Sequence, residues 1–245
     1  MKEPQLSIII PAYNEVNRLP RTLDSLFSYL PKLERSYEIL IVNDGSIDGT
    51  KELVESIVKE HPEIRLISYS PNRGRGYAVK RGVLEAKGEI ILETDADGSV
   101  ADEAIGRFLR AFDSDPSLQA VFGSREMEGA RIAERQPPLR VFLGYIFILL
   151  AKTLFWMWSV SDFTLGFKMF RREAARDIFA RQYNLYYLAE AEIIYVAEKR
   201  GLKWIQLPVT WVDNKDSRVN PFTETLRSLF GIVQVLANSL VGKYK

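Results

Sequence analysis

The chain of 245 residues carries 33 basic and 32 acidic side chains, and its net charge of +1 argues against general nucleic-acid binding, which needs an excess of basic groups. Its hydrophobic fraction of 47% provides a sizeable core and excludes wholesale disorder. The absence of cysteine excludes disulfides, thiolate nucleophiles and Cys-ligated zinc. The single histidine leaves almost no basis for a His triad or a multi-His metal site, so any metal ion must have oxygen ligands.

Strand and helix patterns alternate through the first half of the chain. The first residues lack the apolar segment of a secretory signal peptide, so we expect the chain to start in the cytosol. Short β-branched runs predict strands at 6–10, 37–42, 64–69 and 89–93. Apolar residues at helical spacing predict helices at 21–33, 50–60 and 76–86. Strands separated by helices indicate an α/β fold with a mostly parallel sheet.

The second half contains one further predicted strand, Trp204–Trp211, and two apolar stretches, 141–160 and 222–244. Neither stretch predicts a spanning helix, because Lys152 interrupts the first and polar side chains dilute the second. Both are expected to be helical, and two interpretations stay open: they lie in a membrane interface, or they pack in the core or on a second subunit. No repeat or flexible linker divides the chain, which predicts a single domain.

Polar clusters follow three of the predicted strands. They occupy 11–15, 43–49 and 95–99. In parallel α/β sheets, ligands bind beyond the carboxyl ends of the strands, and all three clusters would emerge on that edge. The sequence therefore predicts a binding site at this edge.

The third of these clusters contains two carboxylates, Asp95 and Asp97, separated by the small residue Ala96. Two such carboxylates can turn toward a hard cation, and we expect them to bind Mg²⁺ or Mn²⁺. A diphosphate would complete the oxygen ligands, and the ion would stabilise charge on a departing diphosphate. The alternative is an ordinary surface turn, because Asp-x-Asp by itself is common there.

The second cluster contains Asp44, which can accept hydrogen bonds from a base or a ribose. Its alternative interpretation is a tight turn in which Asp48 or Thr50 caps the next helix. The two interpretations are compatible, since different residues serve each purpose.

The segment that follows the third strand partly matches a dinucleotide-binding fingerprint through Gly74 and Gly76. Val79 replaces the third glycine, and the fingerprint should follow the first strand of its unit, so a nicotinamide cofactor is disfavoured. Arg73 and Arg75 instead suit a sugar diphosphate.

Nine motifs follow one another along almost the whole chain: Ser7–Glu15, Asn43–Ser46, Asn72–Ala78, Asp95–Gly98, Gly123–Arg125, Asp162–Lys168, Ala189–Glu192, Leu207–Trp211 and Ser217–Phe222. In this order they resemble glycosyltransferase family 2. The later motifs are similar to its polyprenyl-phosphate branch, most closely to the dolichyl-phosphate β-glucosyltransferases and next to the dolichyl-phosphate mannose synthases.

The resemblance implies a GT-A fold and an inverting transfer of glucose or mannose from a UDP- or GDP-hexose to polyprenyl or dolichyl phosphate. It implies a divalent cation, Mg²⁺ or Mn²⁺, and a peripheral position on the cytoplasmic side of a membrane; a homo-oligomer stays open. Within one domain, residues 1–122 would bind the nucleotide sugar, 123–220 the acceptor, and 221–245 would form an amphipathic helix.

The resemblance also implies roles for individual side chains. The metal ligands and catalytic residues would be Asp95 and Asp97, with Asp162 and Arg125 as further catalytic residues. The nucleotide-sugar site would contain Pro11, Ala12, Tyr13, Glu15, Asn43, Asp44, Arg73, Arg75 and Ala96. The acceptor phosphate would be bound by Arg125, Arg140 and Arg218. Asp162 would orient the sugar or an acceptor-binding arginine, without a role in proton transfer.

Three positions depart from the family pattern. Asn43 and Glu190 stand where the family often has aspartate, and Leu165 fills a slot that is often small or polar. These departures weaken any inference about which sugar is transferred.

A phosphate monoester acceptor would need little help from a general base, because its second pKa is about 6 and it is mostly dianionic at neutral pH. Arginines would instead offset the repulsion between the anionic acceptor and donor. A sugar-hydroxyl acceptor is the alternative within the family, and it would require Asp162 or Glu192 as a base. A non-catalytic membrane-binding module is the alternative from another class.

Overall fold

The computed structural model of the protein describes residues 3–133, 138–212 and 221–245. A seven-stranded sheet lies at its centre. Its strands are β1 (Leu6–Ala12), β2 (Tyr37–Asp44), β3 (Ile64–Tyr69), β4 (Ile90–Glu93), β5 (Ala120–Ser124), β7 (Lys168–Arg171) and β8 (Trp204–Pro208). A two-stranded sheet contains β6 (Arg131–Ile132) and β9 (Thr210–Trp211).

The strand order in the large sheet is β3-β2-β1-β4-β7-β5-β8. Strand β7 is antiparallel to both of its neighbours, and every other neighbouring pair is parallel. The predicted α/β class with a mostly parallel sheet is therefore confirmed. Because β7 runs backward, the loop before it reaches the edge at which the parallel strands end.

Eight helices are present in the described part of the chain: α1 (Leu19–Tyr29), α2 (Thr50–Glu60), α3 (Arg75–Glu85), α4 (Glu103–Ser114), α5 (Pro138–Phe155), α6 (Arg172–Ala180), α7 (Ala189–Lys199) and α8 (Pro221–Leu240). The helix predicted to reach residue 33 ends at Tyr29, and a 3₁₀ turn continues to Leu33. Pro31 has no backbone N–H to donate, which explains the change.

Alternating side chains of the strands form two cores, one on each face of the sheet. Ile9 of β1 packs in the core under α3, α6 and α7, whereas Ile8 and Ile10 pack in the core under α1, α2 and α4. The period of two follows from the pleat of a strand. Both faces of the sheet are thereby covered, and its carboxyl edge is left for ligands.

The single strand predicted at 204–211 is wrong, because it is two strands in different sheets. Strand β8 pairs with β5 only as far as the register Ser124↔Pro208, where β5 ends. Val209 N still donates to Ser124 O at 3.0 Å, and the chain then turns to pair with β6. The end of the partner strand thus sets the end of β8.

Helices α5 and α8 pack against each other and contribute to the core under α3, through Ala151 and Phe155 of α5 and Ile232 and Val235 of α8. Each also has an apolar face in solvent. The large exposed side chains on the two helices are Phe142, Tyr145, Ile146, Leu149, Leu154, Leu229, Phe230, Val233 and Leu240. Both stretches are therefore helical as predicted and pack partly in the core, and their contact with a membrane interface stays a prediction. Among the described residues, no helix has the length and apolar character that crossing a bilayer requires.

Candidate active site

The three polar clusters meet at the carboxyl edge of the sheet. Ala12 at the end of β1 pairs with Asn43 of β2, and Thr94 N donates to Ile9 O at 3.0 Å. The loop after β1 is tied to the loop after β2, since Ser46 Oγ accepts from a backbone N–H of the β1 loop at 2.9 Å. Parallel pairing of β1, β2 and β4 produces this convergence.

Asp44 shapes the glycine loop, which we define as residues 72–76. Its buried carboxylate accepts from Arg73 N at 2.7 Å, Gly74 N at 2.9 Å and Asn72 Nδ2 at 2.8 Å. Burial raises the pKa of Asp44, although these hydrogen bonds act in the opposite direction. Gly74 has φ of +97°, a conformation that favours glycine. Asp44 thus holds the loop from which Arg73 projects.

The remaining side chains predicted for the nucleotide site differ in what they present. Tyr13 is 42% exposed at the edge. Glu15 pairs with Arg18, and Asn43 is buried with its amide donating to a neighbouring serine at 2.9 Å. Ala12 and Ala96 are buried, while Pro11 is partly buried. Tyr13 thus exposes its ring at the edge, whereas the other side chains are wholly or partly buried there.

Asp95 and Asp97 occupy the loop after β4, and their side chains are 34% and 24% exposed. Arg75 Nη2 lies 2.7 Å from Asp95 Oδ1. Asp97 Oδ1 accepts from Ser99 N at 3.0 Å, and its Oδ2 lies 4.0 Å from Arg18 Nη1. Burial raises the pKa of Asp95, Arg75 opposes this, and the negative charge of Asp97 adds to the increase. Two carboxylates that repel each other in this way suit a shared cation.

Within the described ranges, no three acidic or histidine side chains converge as a complete metal site. From the described part of the chain, Asp95 and Asp97 would supply oxygen ligands, and a bound molecule would supply others. This fits Mg²⁺ or Mn²⁺ with a diphosphate, since such ions accept oxygen ligands of either origin.

A buried ionic network extends behind Asp95. Arg75 Nη1 binds Glu190, Lys168 Nζ binds the other oxygen of Glu190, and Lys168 Nζ also lies 3.4 Å from Glu93 Oε1. Burial and the charge of Glu190 raise the pKa of Glu93 to about 8. Burial also acts to raise the pKa of Glu190, but the charges of Arg75 and Lys168 hold it below its usual value. At neutral pH, Glu190 is thus ionised and held by two cations, with Glu93 mostly protonated beside them.

Gly166 leaves the space through which the guanidinium of Arg75 passes. A Cβ at this position would lie 2.0 Å from Arg75 Nη2 and 3.0 Å from Asp95 Oδ1. The loop before β7 therefore forms one wall of the site, and a side chain at position 166 would have to displace the ion-paired guanidinium of Arg75.

Arg125 and Asp162 form a second, separate pair at the same edge. Arg125 Nε lies 2.8 Å and its Nη2 3.1 Å from the two carboxylate oxygens, and Nη2 also donates to Thr164 Oγ1 at 2.6 Å. The guanidinium lies 5.4 Å from the ring centroid of Trp211. Burial acts to raise the pKa of Asp162, but the charge and hydrogen bonds of Arg125 hold it below its usual value. Asp162 thus orients Arg125.

Two predicted acceptor residues lie outside what can be placed. Arg140 belongs to α5, where its side chain is outside the described part, and Arg218 is outside the described residues altogether. Of the arginines proposed for the acceptor, the structure thus positions Arg125.

Sequence reasoning missed Arg18, Thr164 and the role of Lys168. Arg18 lies three residues after Glu15 at the start of α1, so helical spacing from Glu15 was the available signal. Lys168, the first residue of β7, is 1% exposed, and a buried lysine requires a carboxylate partner. The sequence contained no indication that this partner is Glu190.

Residues 7–179 match the family model described as glycosyl transferase family 2. A dolichyl-phosphate beta-glucosyltransferase of Dictyostelium discoideum is 35% identical over 251 residues, covering 98% of this chain and 76% of the relative. The protein of the same name from Homo sapiens is 30% identical over 253 residues, covering 98% and 78%. The resemblance predicted from the motifs is confirmed.

Solved structures with this fold include glucosyl-3-phosphoglycerate synthase from Mycobacterium tuberculosis in complex with UDP. It superposes with a TM-score of 0.69 at 17% identity, covering 95% of this chain and 80% of the other. Staphylococcus aureus TarS gives a TM-score of 0.59 at 18% identity, covering 94% and 65%. The predicted GT-A fold is confirmed.

Proposed function

Since the chain belongs to glycosyl transferase family 2, we propose that this glycosyltransferase moves glucose from a nucleoside-diphosphate sugar to a polyprenyl phosphate such as dolichyl phosphate, with inversion at the sugar. The names of its relatives support glucose and dolichyl phosphate. The UDP in the solved structures of similar fold supports UDP over GDP as the donor nucleotide.

The ion pairs and hydrogen bonds of the candidate carboxylate bases support a phosphate acceptor. A sugar-hydroxyl acceptor needs a general base, and a useful base has its pKa near the working pH. Asp162 is held ionised by Arg125 with a lowered pKa, which makes it a weak proton acceptor. Glu192 is fully buried, and its oxygens accept from Asn184 N and Tyr244 Oη, so it does not reach an acceptor hydroxyl. A phosphate monoester, by contrast, attacks without giving up a proton.

Arg125 supplies the charge that such an acceptor requires. Its Nε and Nη2 bind Asp162 and Thr164, and these contacts fix the plane of the guanidinium. We assign the remaining nitrogen, Nη1, to the acceptor phosphate. A guanidinium binds phosphate through directed, charge-assisted hydrogen bonds. We assign Arg140 and Arg218 to the same phosphate. Asp162 then acts through Arg125 as its positioning residue.

Asp95 and Asp97 would hold a divalent cation, and the donor diphosphate would complete its ligands. When bound, the cation neutralises charge that develops on the leaving nucleoside diphosphate. Arg75 orients Asp95 from behind, and we assign Arg73, whose guanidinium lies 4.4 Å from the ring centroid of Tyr77, to the same diphosphate. Pro11, Tyr13, Glu15, Asn43 and Asp44 would surround the nucleoside.

The apolar faces of α5 and α8 would rest on the membrane surface that contains the lipid acceptor. Trp156 is 80% and Phe230 is 84% exposed, which is typical of side chains that enter the headgroup region. We place this surface on the cytoplasmic side. In this arrangement residues 1–122 bind the donor, 123–220 bind the acceptor, and 221–245 provide an amphipathic helix.

The test is to incubate the protein with labelled UDP-glucose, UDP-galactose, GDP-mannose or GDP-glucose, a short polyprenyl phosphate and Mn²⁺, and to extract the lipid. We expect label in a lipid-phosphate sugar from UDP-glucose, and none after chelation of the cation. Transfer only to added oligosaccharide would favour the hydroxyl acceptor, and biological activity retained in Asp97→Ala would favour a non-catalytic module.

A further inference from the structure

A second loop packs against the glycine loop and is here called the clamp loop, residues 181–188. Leu185 O accepts from Tyr77 N at 3.2 Å, so the clamp loop satisfies a backbone donor in the first turn of α3. Gln182 Nε2 donates to Gly76 O at 3.0 Å. The position of the glycine loop thus depends on the position of the clamp loop.

The clamp loop is fastened from beneath by the carboxylate of Glu192 on α7, which is 0% exposed. It accepts from Asn184 N at 2.7 Å, from Tyr183 N at 3.1 Å and from Tyr244 Oη at 2.5 Å. In the described part of the chain, no lysine or arginine lies within ion-pair distance of it. Burial and contact with Glu192 raise the pKa of Tyr244, which keeps its hydroxyl a donor.

Helix α8 closes the third side of the clamp loop. A Cβ at Gly231 would lie 2.2 Å from Leu188 Cδ2 and 2.9 Å from Asn184 Oδ1. On the opposite side, a Cβ at Gly76 would lie 2.9 Å from Asn184 O. The loop fills the space between α8 and the glycine loop, so a shift of its backbone must displace one of them.

We propose that Glu192 is a positioning residue for the donor: it fastens the clamp loop, and through this loop it holds the glycine loop in the conformation that binds the nucleotide sugar. The inference rests on the proposed function for the role of the glycine loop. A buried carboxylate is stable only when it is fully hydrogen-bonded, and its loss would leave the N–H groups of Tyr183 and Asn184 without an acceptor.

This role differs from that of a general base, which is what the hydroxyl-acceptor alternative would require of Glu192. A base must reach the acceptor, whereas this carboxylate has no exposed surface and its oxygens are taken by three donors. Positioning predicts weaker donor binding with little change in the pH profile. Base catalysis predicts a lower kcat with unchanged donor affinity.

The experiment measures the Kd of UDP with Mn²⁺ by calorimetry, together with kcat and donor KM, for the wild type, Glu192→Gln, Tyr244→Phe and Tyr195→Phe. Tyr195→Phe is the matched control, because its hydroxyl bonds Ser239 Oγ at 2.7 Å on α8 and does not bond the clamp loop. We expect the Kd to rise about tenfold in Glu192→Gln, which removes the charge from three hydrogen bonds, and about threefold in Tyr244→Phe, which removes one of the three. The control should bind UDP as the wild type does.

Hydrogen exchange at the amides of Tyr183 and Asn184 gives a readout that needs no nucleotide, and these amides should exchange faster in both clamp variants. If the wild type binds UDP and every variant has a Kd within twofold of the wild-type value, the inference is overturned while the proposed function stays intact. A kcat loss in Glu192→Gln at unchanged Kd would also overturn it, in favour of a base. If the wild type binds neither UDP nor, in the same calorimetric measurement, GDP, the proposed function fails and this inference with it.

Discussion

Replacing Asp162 by asparagine separates a positioning role from a catalytic base. The side chain keeps its size but loses its charge, and its amide turns a donor toward the guanidinium of Arg125, which can only donate. In the wild type this carboxylate receives Nε at 2.8 Å and Nη2 at 3.1 Å. The substitution therefore frees the arginine from its fixed plane without opening a cavity.

The size of the effect follows from these contacts. A hydrogen bond to a charged group contributes about 1.5–3 kcal/mol, and about 1.4 kcal/mol is tenfold in an equilibrium constant. If the lost orientation appears in acceptor binding, the KM for polyprenyl phosphate should rise about 10- to 100-fold. Since Arg125 and Thr164 remain, kcat at saturating acceptor should fall by less than about tenfold, and donor KM should not change.

The assay is steady-state transfer with the acceptor and the donor varied separately, and Thr164→Ala serves as the control for loss of a single hydrogen bond to Arg125. A fall in kcat of a thousandfold or more at unchanged acceptor KM would refute the positioning role. That result would identify Asp162 as a base and favour a hydroxyl acceptor.

Three further predictions concern Gly166, Glu93 and Phe230. Gly166→Ala places a Cβ 2.0 Å from Arg75 Nη2 and should raise donor KM at least tenfold. Gly144→Ala is the control, because a Cβ there meets no atom within 4 Å, and its donor KM should not change. Equal donor KM values for the two variants would contradict the close packing of Arg75 against Gly166. Glu93 stays protonated in the folded protein to a pH of about 8, whereas the unfolded chain ionises near 4.5, so the free energy of unfolding should fall as pH rises between these values. Urea titrations of Glu93→Gln should lack this slope, and a parallel slope in both proteins would refute the assignment. Phe230→Glu, at a side chain that is 84% exposed, should reduce sedimentation with anionic vesicles about tenfold or more while UDP affinity is retained; unchanged sedimentation would remove α8 from the membrane contact.

The convergence of the polar loops could be predicted from the sequence because it depends on local patterns. Strands of β-branched residues alternate with amphipathic helices, and that alternation makes β1, β2 and β4 parallel. The end of each strand then fixes where Asp44 and Asp95 lie. Oxygen ligation of any metal followed from composition alone.

The pairings between distant charges could not be predicted in this way. Arg125 and Asp162 are 37 residues apart, and they meet because the short strand β7 runs antiparallel and brings its preceding loop to the edge. The buried pair of Lys168 and Glu190 joins β7 to α7. Such contacts depend on three-dimensional packing, and four residues of β7 gave no strand signal of their own.

The mixed character of α5 and α8 shows a second limit. Their apolar content is visible in the sequence, but the sequence alone does not show which side chains face the core. Phe155 is buried, whereas Trp156, the next residue, is 80% exposed. Phe155 packs against Tyr195 of α7 with ring centroids 4.8 Å apart, whereas Trp156 lies beyond the end of α5 with φ of +58°.

Two acceptors that share one lipid chain test the central claim most directly. A short polyprenyl phosphate and the corresponding polyprenol differ only in the phosphate group, and each is offered with labelled UDP-glucose and Mn²⁺. We predict labelled lipid from the phosphate and none from the alcohol, since Arg125 offers a positive charge to an anion, whereas Asp162, held by Arg125, is a poor base for a hydroxyl. Transfer to the alcohol at a comparable rate would contradict it.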